Sequence, residues 1–190
     1  MTARPDDCLA RNEWICGEYL STRREILLDA VGQHVQLTGI SVLIGLAIAL
    51  PPAVLARRWG WTAGPVLAVT TILYTIPSLA MFSLLLPVYG LSSSLVVAGL
   101  VLYSLTLLVR NPAAMAGPRI AMVSAVSLVT VGAIVGFGGL GNLIHSGMNT
   151  YFKAQVLTAS VLCVVIAVEA DVLLLGVQRL ITPWTRAARA

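Results

Sequence analysis

The sequence predicts an all-α membrane protein of about five transmembrane helices, with the N-terminus outside and the C-terminus cytoplasmic. Three observations carry this expectation. Of 190 residues, 58% are hydrophobic and only 11% charged, and the mean hydropathy is +0.90, far above an ordinary soluble domain. Charges are absent from residues 30–56, 59–109, 120–152 and 154–168, and a helix that crosses a bilayer needs roughly 20 apolar residues. The charges between these stretches are also unevenly shared between the two sides, as counted below.

The first 31 residues form a polar segment. Arg4, Asp6, Asp7, Arg11 and Glu13 stand where a secretory signal would need a basic start and an apolar run. Thr22 and Glu25 have capping-box spacing ahead of Ile26, Leu27, Leu28 and Val31, which predicts a short amphipathic helix lying on the membrane surface or simply solvated. Cys8 and Cys16 either close a small disulfide loop here or remain two free thiols.

A membrane domain over 32–182 follows, with helices expected at about 35–56, 65–86, 93–109, 120–137 and 154–178. The uncharged run over 59–109 is long enough to span twice, and Pro87, Gly90 and three serines in LLLPVYGLSSS supply the turn between its halves. Five spans put the termini on opposite sides. One side collects Arg57, Arg58, Arg110, Arg119, Arg179, Arg186 and Arg189, a sum of +7 with no acid. The other collects Arg4, Arg11, Arg23, Arg24 and Lys153 against Asp6, Asp7, Glu13, Glu18, Glu25 and Asp29, a sum of −1. Basic loops face the cytoplasm, so the tail over 183–190 is inside, with Trp184 at the inner interface.

Within the spans, Pro77 interrupts the second helix in YTIPSLAMF, with Thr75 and Ser78 beside it. An internal proline frees a carbonyl that a neighbouring helix, a hydroxyl or cavity water must satisfy. Such a kink suits the wall of a conduit or a moving gate, or else serves packing alone. Ser124, Ser127 and Thr130 recur every third residue along the fourth helix, a stripe that either lines an aqueous path or bonds an adjacent helix. Glu169 and Asp171 lie inside the fifth helix, where an ionisable group should face protein or water. Two positions apart, they point in nearly opposite directions, and no base within the fourth or fifth span is available to neutralise them. Gly136, Gly138, Gly139 and Gly141 in GFGGLG allow a bend and close helix approach at the outer end of the fourth helix.

Several function classes are excluded. GFGGLG matches a dinucleotide fingerprint in form, but no Asp or Glu lies between Asp29 and Glu169 to complete it. No basic patch interleaved with aromatics is present, so nucleic acid is not a partner. Three cysteines offer no zinc set, and no Gly-Lys-Ser/Thr motif is present for a nucleotide. His34 and His145, the two histidines, fall at outer helix ends where solvation is their ordinary fate, and no hydrolase motif accompanies them. The chain is not expected to be an enzyme.

The runs QLTGISVLIGLAIALPPAVLARR, ILYTIPSLAMFSLLLPVYG and VSLVTVGAIVGFGGLGNLIHSGM, with the closing QRLITPWTR, resemble the permease subunit of osmoprotectant ABC importers of the glycine betaine, carnitine and choline type. The resemblance covers about residues 32–185. It implies a type I transmembrane domain in the cell membrane, paired with a second permease copy or paralogue. It also implies an ABC ATPase that carries ATP and Mg, and an extracellular substrate-binding protein that selects the quaternary ammonium compound. It implies no cofactor bound by this chain itself. Thr75, Ile76, Pro77 and Ser78 match the family's second-helix motif, and Gly136, Gly138, Gly139 and Gly141 its glycine segment, so gating and packing roles are implied for them. Ser124, Ser127, Thr130, Glu169 and Asp171 are further path candidates from the residues alone.

One departure is large. Family members carry a long cytoplasmic loop with an acid-Ala-Ala-x3-Gly motif whose short helix docks on the ATPase. Here the matching stretch is RNPAAMAGPR, from Arg110 to Arg119, with no acid and no room for such a helix. The chain is then a naturally shortened or decayed copy, an incomplete sequence, or a subunit that relies on a partner permease for coupling. Two alternatives to an ATP-driven permease stand beside it: an ion-coupled secondary transporter or channel, and a remnant acting only as a membrane scaffold. Inverted repeats, which many secondary transporters show, are not detectable here.

Overall fold

The computed structural model describes residues 8–110 and 116–181. The expectations for the tail over 183–190, for Trp184 and for the interior of the Arg110–Arg119 loop lie outside the described residues. Every regular element described is a helix: α1 (Gly17–Thr22), α2 (Arg24–Arg58), α3 (Gly60–Thr75), α4 (Ser78–Tyr89), α5 (Ser93–Arg110), α6 (Ala116–Val129), α7 (Leu140–Asn149) and α8 (Lys153–Ile181), with a 3-10 turn over Thr130–Val135 extending α6.

The N-terminal segment differs from the surface helix expected of it. Thr22 does not cap a new helix, because its hydroxyl donates to the Glu18 carbonyl at 2.6 Å. The chain turns once at Arg23 and then runs as a single helix through the expected surface segment and the first span. Nothing between Asp29 and the first span breaks a helix, so the two fuse, and α2 reaches 35 residues, about 52 Å at 1.5 Å per residue. Pro51 and Pro52 lie inside it without ending it.

Ahead of α2, Cys8 and Cys16 form a disulfide with Cα atoms 5.6 Å apart. The loop they close sits on the start of α8. The Asn12 side chain accepts from the Lys153 N–H at 3.0 Å and donates to the Tyr151 carbonyl at 2.8 Å, which ties down the first turn of α8. Beneath it Tyr19 meets Phe152 edge to face at 5.2 Å, in a cluster with Cys16, Leu27 and Ala154.

The remaining packing is built around α2 and α5. Leu37, Thr38, Ser41, Val42, Gly45 and Ala49 are buried along one face of α2, the i, i+4, i+7 pattern of a packed stripe. Small residues let α5 come close: a β-carbon on Gly45 would stand 2.4 Å from the Ser104 hydroxyl, the close approach that membrane helices use in place of a hydrophobic driving force. Leu37 packs with Val96, Leu100 and Val129, and Ala49 with Leu108, Val109 and Ala121. The core is therefore a three-helix contact of α2, α5 and α6, with α8 at its periphery.

Membrane-crossing length is met by α2, by α6 with its 3-10 extension (117–135) and by α8. The second expected span is not one helix: α3 and α4 meet at a bend of 97°, and their joint length and composition are those of a broken span or of a re-entrant pair. The expected third span, α5, is apolar but shorter. The structure is an all-α membrane fold with these three or four membrane-capable elements among the described residues.

Candidate functional site

The break between α3 and α4 follows from Pro77. Proline disfavours the helical conformation in the residue before it, and here Ile76 is extended at φ −67°, ψ 125°. Pro77 itself is extended and starts α4, where the Met81 N–H donates to its carbonyl at 2.9 Å. The carbonyl that the break releases at Ile76 is taken by the Tyr103 hydroxyl on α5. One helical turn further along α5, the Thr106 hydroxyl donates to the Thr70 carbonyl. Two hydroxyls of α5 thus hold the broken span in place.

Thr75, Ile76, Pro77 and Ser78 line a cavity of about 510 Å³ whose opposite wall is Val123, Ser124, Ser127 and Leu128 of α6, with Tyr74 and Tyr103 completing it. Five of the residues singled out in the sequence, Thr75, Pro77, Ser78, Ser124 and Ser127, therefore converge. Thr130 does not join them. It stands where α6 tightens into the 3-10 turn, so the three-residue stripe loses register with the cavity. It lines the neighbouring cavity on the α7 side, of about 400 Å³, with Ser78, Gly141 and His145. Toward the start of α6 a third cavity, of about 560 Å³, shares Val123 and Ser124 and ends at Arg119 and Asp171. One face of α6, from Arg119 through Ser124 and Ser127 to Thr130, runs past all three.

The charged candidates separate. Asp171 is not without a base: Arg119, counted in the sequence as a loop charge, reaches it from the start of α6. Its Nε and Nη2 donate to Asp171 Oδ1 at 3.0 and 2.8 Å, and Nη2 to Oδ2 at 2.7 Å. This carboxylate takes the planar guanidinium fork on both oxygens. Glu169, on the other side of α8, is exposed among Val165, Val168, Val172 and Leu173. It does not share a site with Asp171.

The glycine segment forms a tight return from the 3-10 turn into α7. Gly136 and Gly139 have positive φ, 84° and 53°, open to glycine at no steric cost. Asn142 staples the return, accepting from the Gly138 N–H and donating to the Gly136 carbonyl, both at 2.9 Å. The return packs onto α2: a β-carbon on Gly139 would lie 2.8 Å from the backbone of His34.

His34 is therefore not solvated, as a histidine at a helix end was expected to be, but fully buried. Its Nε2 donates to the Val126 carbonyl of α6 at 3.0 Å. The sequence held a signal for this, since His34 continues the stripe of Leu37, Thr38, Ser41 and Gly45. Tyr74 and Tyr103 were also missed. A tyrosine inside an apolar span usually has a hydrogen-bond partner to find, and that was their signal. No group of three or more His, Cys, Asp or Glu gathers to hold a metal among the described residues.

No family model matches the chain. It is 30% identical to the choline transport system permease protein OpuBD of Bacillus subtilis, over 87% of this chain and 89% of that one. It is likewise 30% identical to the glycine betaine/carnitine/choline transport system permease protein OpuCD of the same organism, over 88% and 89%. The osmoprotectant import permease protein OsmW of Salmonella typhimurium is 27% identical, over 87% and 96%. The alignment to OpuBD runs over 202 positions, although only 87% of this 190-residue chain contributes to it. That relative thus carries a few tens of residues inside the matched stretch that have no counterpart here. An α-helical membrane fold with a proline-broken span facing a hydroxyl-bearing helix, joined to these similarities, makes the chain a member of the osmoprotectant ABC importer permease family.

Proposed function

We propose that this chain forms the gated membrane path of an importer for quaternary ammonium osmoprotectants. The observation that carries the reading is the meeting of the broken span, at Thr75, Pro77 and Ser78, with Ser124 and Ser127 of α6 in one cavity. A break fixed by two hydroxyls of α5 is a place where two half-helices can change angle without leaving a bare carbonyl in lipid. Thr130 and the Arg119–Asp171 pair continue the same face outward and inward. Family membership favours this reading over an ion-coupled carrier or a scaffold.

The N-terminus is outside in this proposal. The side with +7 and no acid supports that orientation, and so does the Cys8–Cys16 disulfide, since disulfides persist in oxidising surroundings. The partners are an ATPase that holds ATP and Mg, an external binding protein and a second permease. The few tens of residues missing relative to OpuBD coincide in size with the coupling loop absent between Arg110 and Arg119. As it stands, this chain gives the ATPase no lever on the path.

Co-purification tests the reading. The chain is expressed with its cognate ATPase, beside a version carrying an acid-Ala-Ala-x3-Gly loop between Asn111 and Pro112. The expected result is that only the restored version retains the ATPase and shows hydrolysis stimulated by the binding protein. Retention by the chain as written would show that coupling uses another surface. Failure of both would sink the permease role.

A further inference from the structure

We propose that the broken-helix cavity is a binding subsite for a trimethylammonium head group, held against Tyr74, Tyr103 and the C-terminal end of α3. The proposal rests on the permease reading and names the substrate chemistry of the same site. A quaternary ammonium has no N–H, so hydroxyls and carbonyls cannot take a hydrogen bond from it. It is held by apolar contact for its methyls and diffuse negative potential for its charge, and a tyrosine face within about 6 Å supplies both.

The cavity offers those features together. Tyr74 and Tyr103 stand edge to face, centroids 5.9 Å apart, and both line it. Tyr103 is fixed by its bond to the Ile76 carbonyl, while Tyr74 remains 46% exposed. The last residue of α3, Thr75, lies in the wall, and a helix C-terminus carries the negative end of the backbone dipole. Ile76, Pro77, Val123 and Leu128 offer apolar contact. None of the ten lining residues is charged, so the site lacks the carboxylates that would favour a metal cation or a primary amine. Its volume of about 510 Å³ leaves room for the polar tail near Ser124 and Ser127.

The test is equilibrium binding to the purified full chain in lipid nanodiscs, read by saturation-transfer NMR on the probe's methyl protons. The probes are choline and its uncharged carbon isostere, dimethylbutanol. The expected result is choline binding at least about five-fold tighter than the isostere, within the range of a desolvated cation–π contact. Tyr74→Phe should keep that preference within about two-fold, because the ring face remains, and Tyr74→Leu should abolish it. Ser127→Trp, which fills the cavity from α6 and leaves the residues of the break unsubstituted, should remove binding of both probes. Equal binding of choline and isostere overturns the proposal, as does a preference that survives Tyr74→Leu, binding that survives Ser127→Trp, or no choline signal at all. A chain that retains its ATPase with the restored loop yet shows no choline preference loses this subsite and keeps the permease role. The reverse pattern keeps the subsite and loses that role.

Discussion

The Tyr103 hydroxyl donates to the carbonyl of Ile76, twenty-seven residues earlier in the chain, and this one bond closes the gap that Pro77 opens in the backbone ladder. A carbonyl left bare at that depth has no water to turn to. Tyr103→Phe keeps the ring and its contact with Tyr74 but removes the donor. Interhelical hydrogen bonds in membranes contribute about 0.6 to 1.7 kcal/mol, so the expected loss is about 1 kcal/mol of unfolding stability, with faster amide exchange around residues 72–78. Unchanged exchange there would mean that the break is held by packing alone.

The Arg119–Asp171 pair makes a second prediction. Its side chains are 26% and 37% exposed, so solvent screening discounts it, yet the two-oxygen geometry sets it above an ordinary surface pair. A double-mutant cycle with Arg119→Ala and Asp171→Ala should give a favourable coupling that weakens as salt is raised. Arg119→Lys should recover less than half of it, because an ammonium cannot reproduce the fork. A coupling near zero, or full recovery by lysine, would reduce the pair to a chance proximity at the edge of the cavity.

These contacts show what could be read from the residues and what could not. Pro77 announces the break by its own chemistry, and the spacing of Ser124 and Ser127 announces a polar face of α6, so both walls of the cavity were legible. Their meeting was not, since periodicity says which side of a helix is special but not which helix it faces. Asp171 has its base 52 residues away and His34 its carbonyl 92 residues away. Both are products of packing, and both read as lone residues in the sequence. The N-terminal helix was misjudged for another reason: a capping-box spacing is satisfied by Thr22 and Glu25, but the hydroxyl finds a nearer carbonyl at Glu18. The broken second span was expected as a kink, and its 97° bend exceeds what a proline alone announces.

Two glycines, one in the return and one in α3, give predictions of opposite sign. Gly139→Ala places a methyl 2.8 Å from the backbone of His34 at φ +53°, and neither backbone can yield cheaply. It should cost at least about 2 kcal/mol and disturb the α2–α6 contact. Gly64→Ala, in α3 with nothing within 4 Å, should be neutral or stabilising by up to about 1 kcal/mol through helix propensity. Thermal unfolding of the two variants in one detergent decides. Equal melting temperatures would remove the case that Gly139 sets the distance between α2 and the return.

Reduction of the Cys8–Cys16 disulfide tests both the N-terminal cap and the orientation of the chain. The bridge closes a loop with a sequence separation of 8, and a short loop of this kind limits the unlinked chain by about 2 to 3 kcal/mol in the chain-entropy account. That stability is local, because the loop acts through Asn12 on the start of α8 and through Tyr19 on Phe152. Cys16→Ser should therefore speed proteolysis around residues 8–23 and amide exchange at residues 153–157, while leaving the exchange of α5 unchanged. After mild reduction of intact cells, a membrane-impermeant maleimide should label Cys8 and Cys16 without lysis. Labelling that requires lysis would place the cap in the cytoplasm and reverse the orientation that the loop charges support.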